Sequence, residues 1–117
     1  MSMPVAEPPG PEDAKLITLA RAARARVASA EGAAVRDETG RTYAAAAVAL
    51  PSLRLSALHL AVAMAVSSGA SALEAAALVS DSGVPDPNDV AAVREIGPGA
   101  VLFNAGPDGT VLATLRP

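Results

Sequence analysis

Residues 56–69 read SALHLAVAMAVSSG, and the conformation of this stretch decides how the rest of the chain is arranged. It opens on Ser56, a residue that favours the position just before a helix, and closes on Gly69, where a left-handed stop is favoured. Between them Ala57–Val66 is apolar except for His59, a run too short to span a bilayer. The stretch predicts a helix from Ser56 to Ser68 that is apolar nearly all round. Such a helix seeks cover on every side. One small sheet covers only one side, so the remainder is expected to meet other helices or a second subunit.

Working outward, Pro11-Glu12-Asp13 looks like a first helical turn, with proline early and acids at the positive helix end. Leu16, Leu19, Ala20, Ala23 and Val27 follow at helical spacing, with Arg21, Arg24 and Arg26 on a solvated face. Gly32–Val35 and Arg41–Leu50 predict strands around a turn at Gly40, the second strand ending at Pro51-Ser52. Ala75–Ser80 predicts a further strand and Pro87–Ile96 a helix. Ala100–Asn104 and Thr110–Thr114 predict a hairpin turning at Gly109. The order is helix, two strands, helix, strand, helix, two strands. That is an α/β domain, with helices covering a mixed sheet of about five strands. Residues 1–12 are expected to be a disordered tail and residues 13–117 the domain.

The chain has 117 residues, 51% of them hydrophobic, with one tyrosine (Tyr43), one phenylalanine (Phe103) and no tryptophan. Its core is therefore built from Ala, Val, Leu and Ile. The formal charge is −3, with no basic stripe and almost no stacking surface, so nucleic acid is not an expected partner. No segment reads as a signal peptide or membrane span, and a cytoplasmic protein is expected. There is no cysteine, which removes disulfides, thiolate metal sites and cysteine nucleophiles together.

Three stretches carry a resemblance. EGAAVRDETGRTY (31–43), LSALHLAVAMAVSSGAS (55–71) and VPDPNDVAAVREIGPG (84–99) resemble, in order and spacing, parts of the small cytidine deaminases: the Gly-Ala-Ala-Leu strand, the Cys-Ala-Glu helix and the Pro-Cys-x-x-Cys helix. The resemblance spans roughly residues 14–117. It implies a three-layer cytidine-deaminase-like fold and a homo-oligomer, a tetramer or a dimer. In that family a zinc ion activates a water and a glutamate moves the proton.

The chemistry does not carry over with the fold. The alignment implied by the resemblance puts the first zinc ligand on Ser56, the proton-shuttling glutamate on Leu58 and the two later ligands on Asp86 and Asp89. The ribose-holding pair falls on Ala47 and Ala49, and the aromatic before the first strand falls near Ser29. These positions are degenerate. No catalytic residue, metal or cofactor is expected. Ser56 and Asp86 are expected to cap helices instead, with Pro87 first in its helix and Asp89 third, close to a capping box, while Leu58 fills the vacated pocket. A carboxylate site for magnesium or calcium at Ser56, Asp86 and Asp89 is the competing reading, and it has few oxygens. His59 is expected to be a packed or interface residue, with a pH-sensitive contact as the alternative.

Three functions compete. The first is a pseudoenzyme retained as a homo-oligomeric interaction protein. The second is a nucleoside deaminase or related hydrolase with a rebuilt site. The third is a small-ligand binder using the old cleft. Ala47, Ala49 and Leu58 disfavour the third, because a nucleoside's polar groups would go unpaired there. The first is favoured.

Overall fold

The computed structural model describes residues 9–117. Most of the expected tail, residues 1–8, lies outside them, and Pro11 already begins the first helix. Helix α1 runs Pro11–Arg26, with Pro11 at its start and Glu12 and Asp13 in its first turn. Strand β1 (Glu31–Asp37) turns at Gly40 into β2 (Thr42–Ala46). Next come β3 (Val48–Leu50), β4 (Leu53–Leu55), α2 (Ala57–Ser67), β5 (Leu73–Ser80), α3 (Pro87–Ile96), β6 (Val101–Ala105) and β7 (Val111–Leu115).

Five strands form one mixed sheet in the order β2-β1-β5-β6-β7. Strands β5 and β6 are parallel and α3 crosses between them; the other pairs are antiparallel. Alternate residues along each strand point to opposite faces. On one face Ala34, Ala77, Val79 and Phe103 pack with Leu16, Ile17 and Ala20 of α1. On the other, Ala33, Val35, Leu78 and Leu102 join Leu58 and Ala61 of α2 and Val93 of α3. Three layers result.

Small residues set the spacing of these layers. Gly32 faces α1, and a Cβ there would fall onto the Ala20 carbonyl oxygen and lie 2.8 Å from the Arg24 amide nitrogen. Only glycine allows this crossing. Arg36 of β1 fastens the same joint, bridging Asp13 of α1 at 3.0 Å and Glu74 of β5 at 3.1 Å. Two of the three α1 arginines are not merely solvated. Arg21 donates to the Pro107 carbonyl at 3.1 Å and Arg24 to the Ala30 carbonyl at 3.2 Å, tethering loops to the helix.

Two expectations need revision. The strand expected over Arg41–Leu50 breaks at Ala47, whose N–H goes to the Ser29 hydroxyl at 3.2 Å instead of a strand partner. Residues beyond the break pair with Leu53–Leu55 as a separate hairpin, so Pro51-Ser52 is a turn and not an end. Helix α2 is covered on one side only: Ala57, Leu58, Ala61, Val62 and Ala65 are buried, while Ala63, Met64 and Val66 are exposed.

Candidate functional site

The first turns of α2 and α3, the start of β1 and the end of the β3–β4 hairpin come together at one end of the domain. A helix start leaves backbone N–H groups without intrahelical acceptors, and its dipole favours negative charge there. The sequence supplies oxygens for both starts. Ser56 caps α2, its hydroxyl accepting from the His59 amide at 3.0 Å. Asp86 caps α3, its carboxylate accepting from the Asn88 amide at 2.8 Å.

Asp89 does not complete the expected capping box. Its buried carboxylate reaches across to α2 and accepts from the Ser56 hydroxyl at 2.7 Å. The same oxygen lies 3.3 Å from His59 Nε2, which is also 3.0 Å from the Asn88 carbonyl oxygen. Both neighbours of Nε2 are acceptors, so the proton sits on Nε2 and the ring donates. The His59 side chain is 38% exposed, and its ring spans the two helices at the surface.

Of the sequence-derived positions, the structure therefore brings together Ser56, His59, Asp86 and Asp89. Leu58 is fully buried in the apolar cluster beneath them. Ala47 is half-buried beside Ser29, and Ala49 is exposed on β3, paired with Arg54. Neither offers a side-chain hydrogen bond.

Glu31 is the residue that sequence reasoning missed. Its carboxylate accepts from the Ala57 amide at 2.9 Å, so a second acid, beside Asp89, serves the start of α2. Nothing in the local spacing relates residues 31 and 57. The nearest signal was an acid at the head of a strand whose next four residues are Gly-Ala-Ala-Val.

Serine, histidine and aspartate in one cluster invite comparison with a nucleophilic triad, but the order is wrong. In a triad the imidazole stands between hydroxyl and carboxylate and takes the hydroxyl's proton. Here the carboxylate stands between the other two. The ring nitrogen facing the cluster already carries its proton, so it cannot act as a base there.

At the far end of β1 a second polar cluster closes the 37–41 turn. Asp37 accepts from the Thr39 hydroxyl at 2.7 Å, the Thr39 amide at 2.9 Å, the Arg41 amide at 3.0 Å and the Tyr43 phenol at 2.9 Å. These bonds, the Thr39 hydroxyl's foremost, hold its pKa down to about 2. Donating to that carboxylate raises the Tyr43 phenol. Glu38 is lowered, chiefly by the Ser71 hydroxyl that it binds at 2.6 Å. Every acceptor here has its own donor, which marks a structural turn.

A family model described as cytidine deaminase-like matches residues 9–109. The chain belongs to the cytidine deaminase-like family. Three solved structures show the fold. Cytidine deaminase from Burkholderia pseudomallei superposes with a TM-score of 0.76 at 23% identity, covering 87% of this chain and 90% of that one. Cytidine deaminase from Mycobacterium leprae gives 0.65 at 26% identity over 85% and 92% of the two chains. A point mutant of cytidine deaminase from Mycobacterium tuberculosis gives 0.65 at 26% identity over 75% and 81%. No curated protein matches the chain.

Zinc, which the family resemblance implies, can be tested against the donors present. Zinc favours thiolate and imidazole nitrogen. The ligand positions here hold one hydroxyl and two carboxylates. The Ser56 hydroxyl and Asp89 are hydrogen-bonded to each other, and Asp86 is turned onto its own helix. Among the described residues no group of three or more His, Cys, Asp or Glu side chains could hold a metal ion. The donor set does not fit zinc, nor does it offer the six or more oxygens of a calcium site.

Proposed function

We propose that this chain is a non-catalytic member of the cytidine deaminase-like family, a pseudoenzyme kept as a homo-oligomeric interaction protein. The observation that carries the reading is the direct bond between Ser56 and Asp89 above a buried Leu58. Deamination at a pyrimidine ring needs an activated water and a group that moves a proton to the ring nitrogen. The positions that would supply both hold a hydroxyl–carboxylate pair and an apolar side chain. Loss of a general acid–base alone costs on the order of 100- to 10,000-fold in rate. Ala47 and Ala49 add the loss of ribose contacts.

The oligomer rests on α2. Its eleven residues include no Asp, Glu, Lys or Arg, and their outer side presents Ala63, Met64 and Val66. A groove of about 380 Å³ runs beside them, lined by Tyr43, Leu60, Ala63, Met64, Ser67 and Ser68. A second copy of this chain suits that surface, because an uncharged helix meets its own copy without opposing like charges. Among the described residues no helix is long and apolar enough to cross a membrane, so a bilayer-spanning role for α2 is not invoked.

The test is an ultraviolet assay of cytidine and deoxycytidine with the unmodified protein at high concentration. No turnover above the protein-free background is expected. Turnover that scales with protein and survives a chelator overturns the reading.

A further inference from the structure

Asp89 lies in the first turn of α3, yet the side-chain donors it meets come from α2. Ser56 donates to it while accepting from the His59 amide, and the His59 ring returns to Asp89 and to the Asn88 carbonyl. Two hydrogen bonds through Ser56 and the approach of the His59 ring to within 3.3 Å of Asp89 link the three residues across the junction of two helices. Asp89 is almost wholly buried, so losing a donor leaves an oxygen unpaired away from water. Zinc does not fit these positions, yet two helix starts still have to be held against one another.

We infer that Ser56, His59 and Asp89 form a metal-independent joint that sets α2 against α3, with Asp89 as the positioning residue. The inference rests on the same reading of Ser56 and Asp89 as the proposed function, but not on the absence of turnover. The joint is cooperative. Removing the Ser56 hydroxyl leaves Asp89 short of its closest donor, and neutralising Asp89 to Asn leaves that hydroxyl an uncharged, weaker acceptor. Once one member is lost, the second has little left to lose.

Thermal unfolding of the purified full chain tests this through Ser56→Ala, Asp89→Asn and the double variant. Each single change should lower the midpoint by roughly 5–10 °C. The double variant should fall little below the worse single one, because contacting residues in one network are not additive. Ser56→Thr keeps the hydroxyl and should stay near the parent, which covers the case in which Asp89→Asn does not fold. The unmodified protein should unfold at the same midpoint with a chelator and with equimolar zinc. Additive losses in the double variant, a Ser56→Thr midpoint as low as that of Ser56→Ala, or a midpoint that zinc raises and chelator lowers by several degrees overturn the joint. Turnover in the deaminase assay with the coupling intact would overturn the proposed function alone.

Discussion

Leu58 is where a live site and a filled one give opposite outcomes. Its side chain is fully buried, in one cluster with Ala33, Val35, Leu78, Val93 and Leu102. Leu58→Ala removes that packing and should cost about 2–5 kcal/mol, the larger figure if the cavity does not close. In a domain of this size that lowers the thermal midpoint by roughly 10–20 °C. Leu58→Glu restores the residue type that the family resemblance puts there, and it should be worse at neutral pH. The new carboxyl would enter an apolar cluster, which raises its folded pKa above the ordinary value of about 4.3. Each unit of that rise removes about 1.4 kcal/mol once the pH exceeds the folded value. A raised acid keeps its full contribution below its unfolded pKa and loses it as the pH climbs through the folded one. The variant should therefore be most stable near pH 4 and decline toward pH 7. Urea unfolding of parent and variants at pH 4, 5.5 and 7 reads this directly. A Leu58→Glu protein that matches the parent at pH 7, with no added pH slope, would mean that the position faces water and that the filled-pocket reasoning is wrong.

Other consequences follow from the same packing. Gly32→Ala should cost at least about 2–3 kcal/mol in urea unfolding, because its Cβ meets α1 backbone, which has no rotamer to yield. Asp37 is depressed to about 2, so the stability it supplies is present above about pH 4 and lost as the pH falls toward 2. Thermal midpoints between pH 5 and 2 should drop, and Asp37→Asn should flatten that drop. Met64→Asp places a charge on the exposed apolar side of α2 and should shift the protein to monomer in light scattering at micromolar concentration. A soluble monomer of the unmodified chain under the same conditions refutes the oligomer.

The parts of the fold legible in sequence were those set by local chemistry. Gly40, Gly69 and Gly109 all adopt positive φ, at 88°, 98° and 89°, and each marked a turn or a helix stop. Asp86 and Pro87 marked the start of α3 for equally local reasons. The hairpin at 48–55 was not legible, because Ala44–Ala47 is a run of one residue type with no alternation to show where pairing ends. What breaks it is the Ser29 hydroxyl, 18 positions earlier. The site divided in the same way. Capping oxygens at Ser56 and Asp86 followed from neighbours within three residues. The reach of Asp89 to Ser56, over 33 positions, and of Glu31 to Ala57, over 26, followed from nothing local.

Those long reaches bear on which function the site can serve. A binding site for a polar ligand keeps donors and acceptors whose partner is the ligand. Here Glu31 is used by the Ala57 amide, Ser56 by His59 and Asp89, Asp86 by Asn88, and His59 Nε2 by Asn88 and Asp89. A nucleoside that took these same oxygens or His59 Nε2 as its partners would break bonds that hold two helix starts in place. Each bond to a charged group that it broke would cost about 1.5–3 kcal/mol, against a similar gain for the bond that replaced it. Binding through those atoms would then yield almost no net free energy from polar contacts. Leu58, Ala47 and Ala49 offer no polar recognition to add. Under the proposed reading α2 has no duty toward a ligand, and its outer side, with Ala63, Met64 and Val66, is the surface proposed for a second copy.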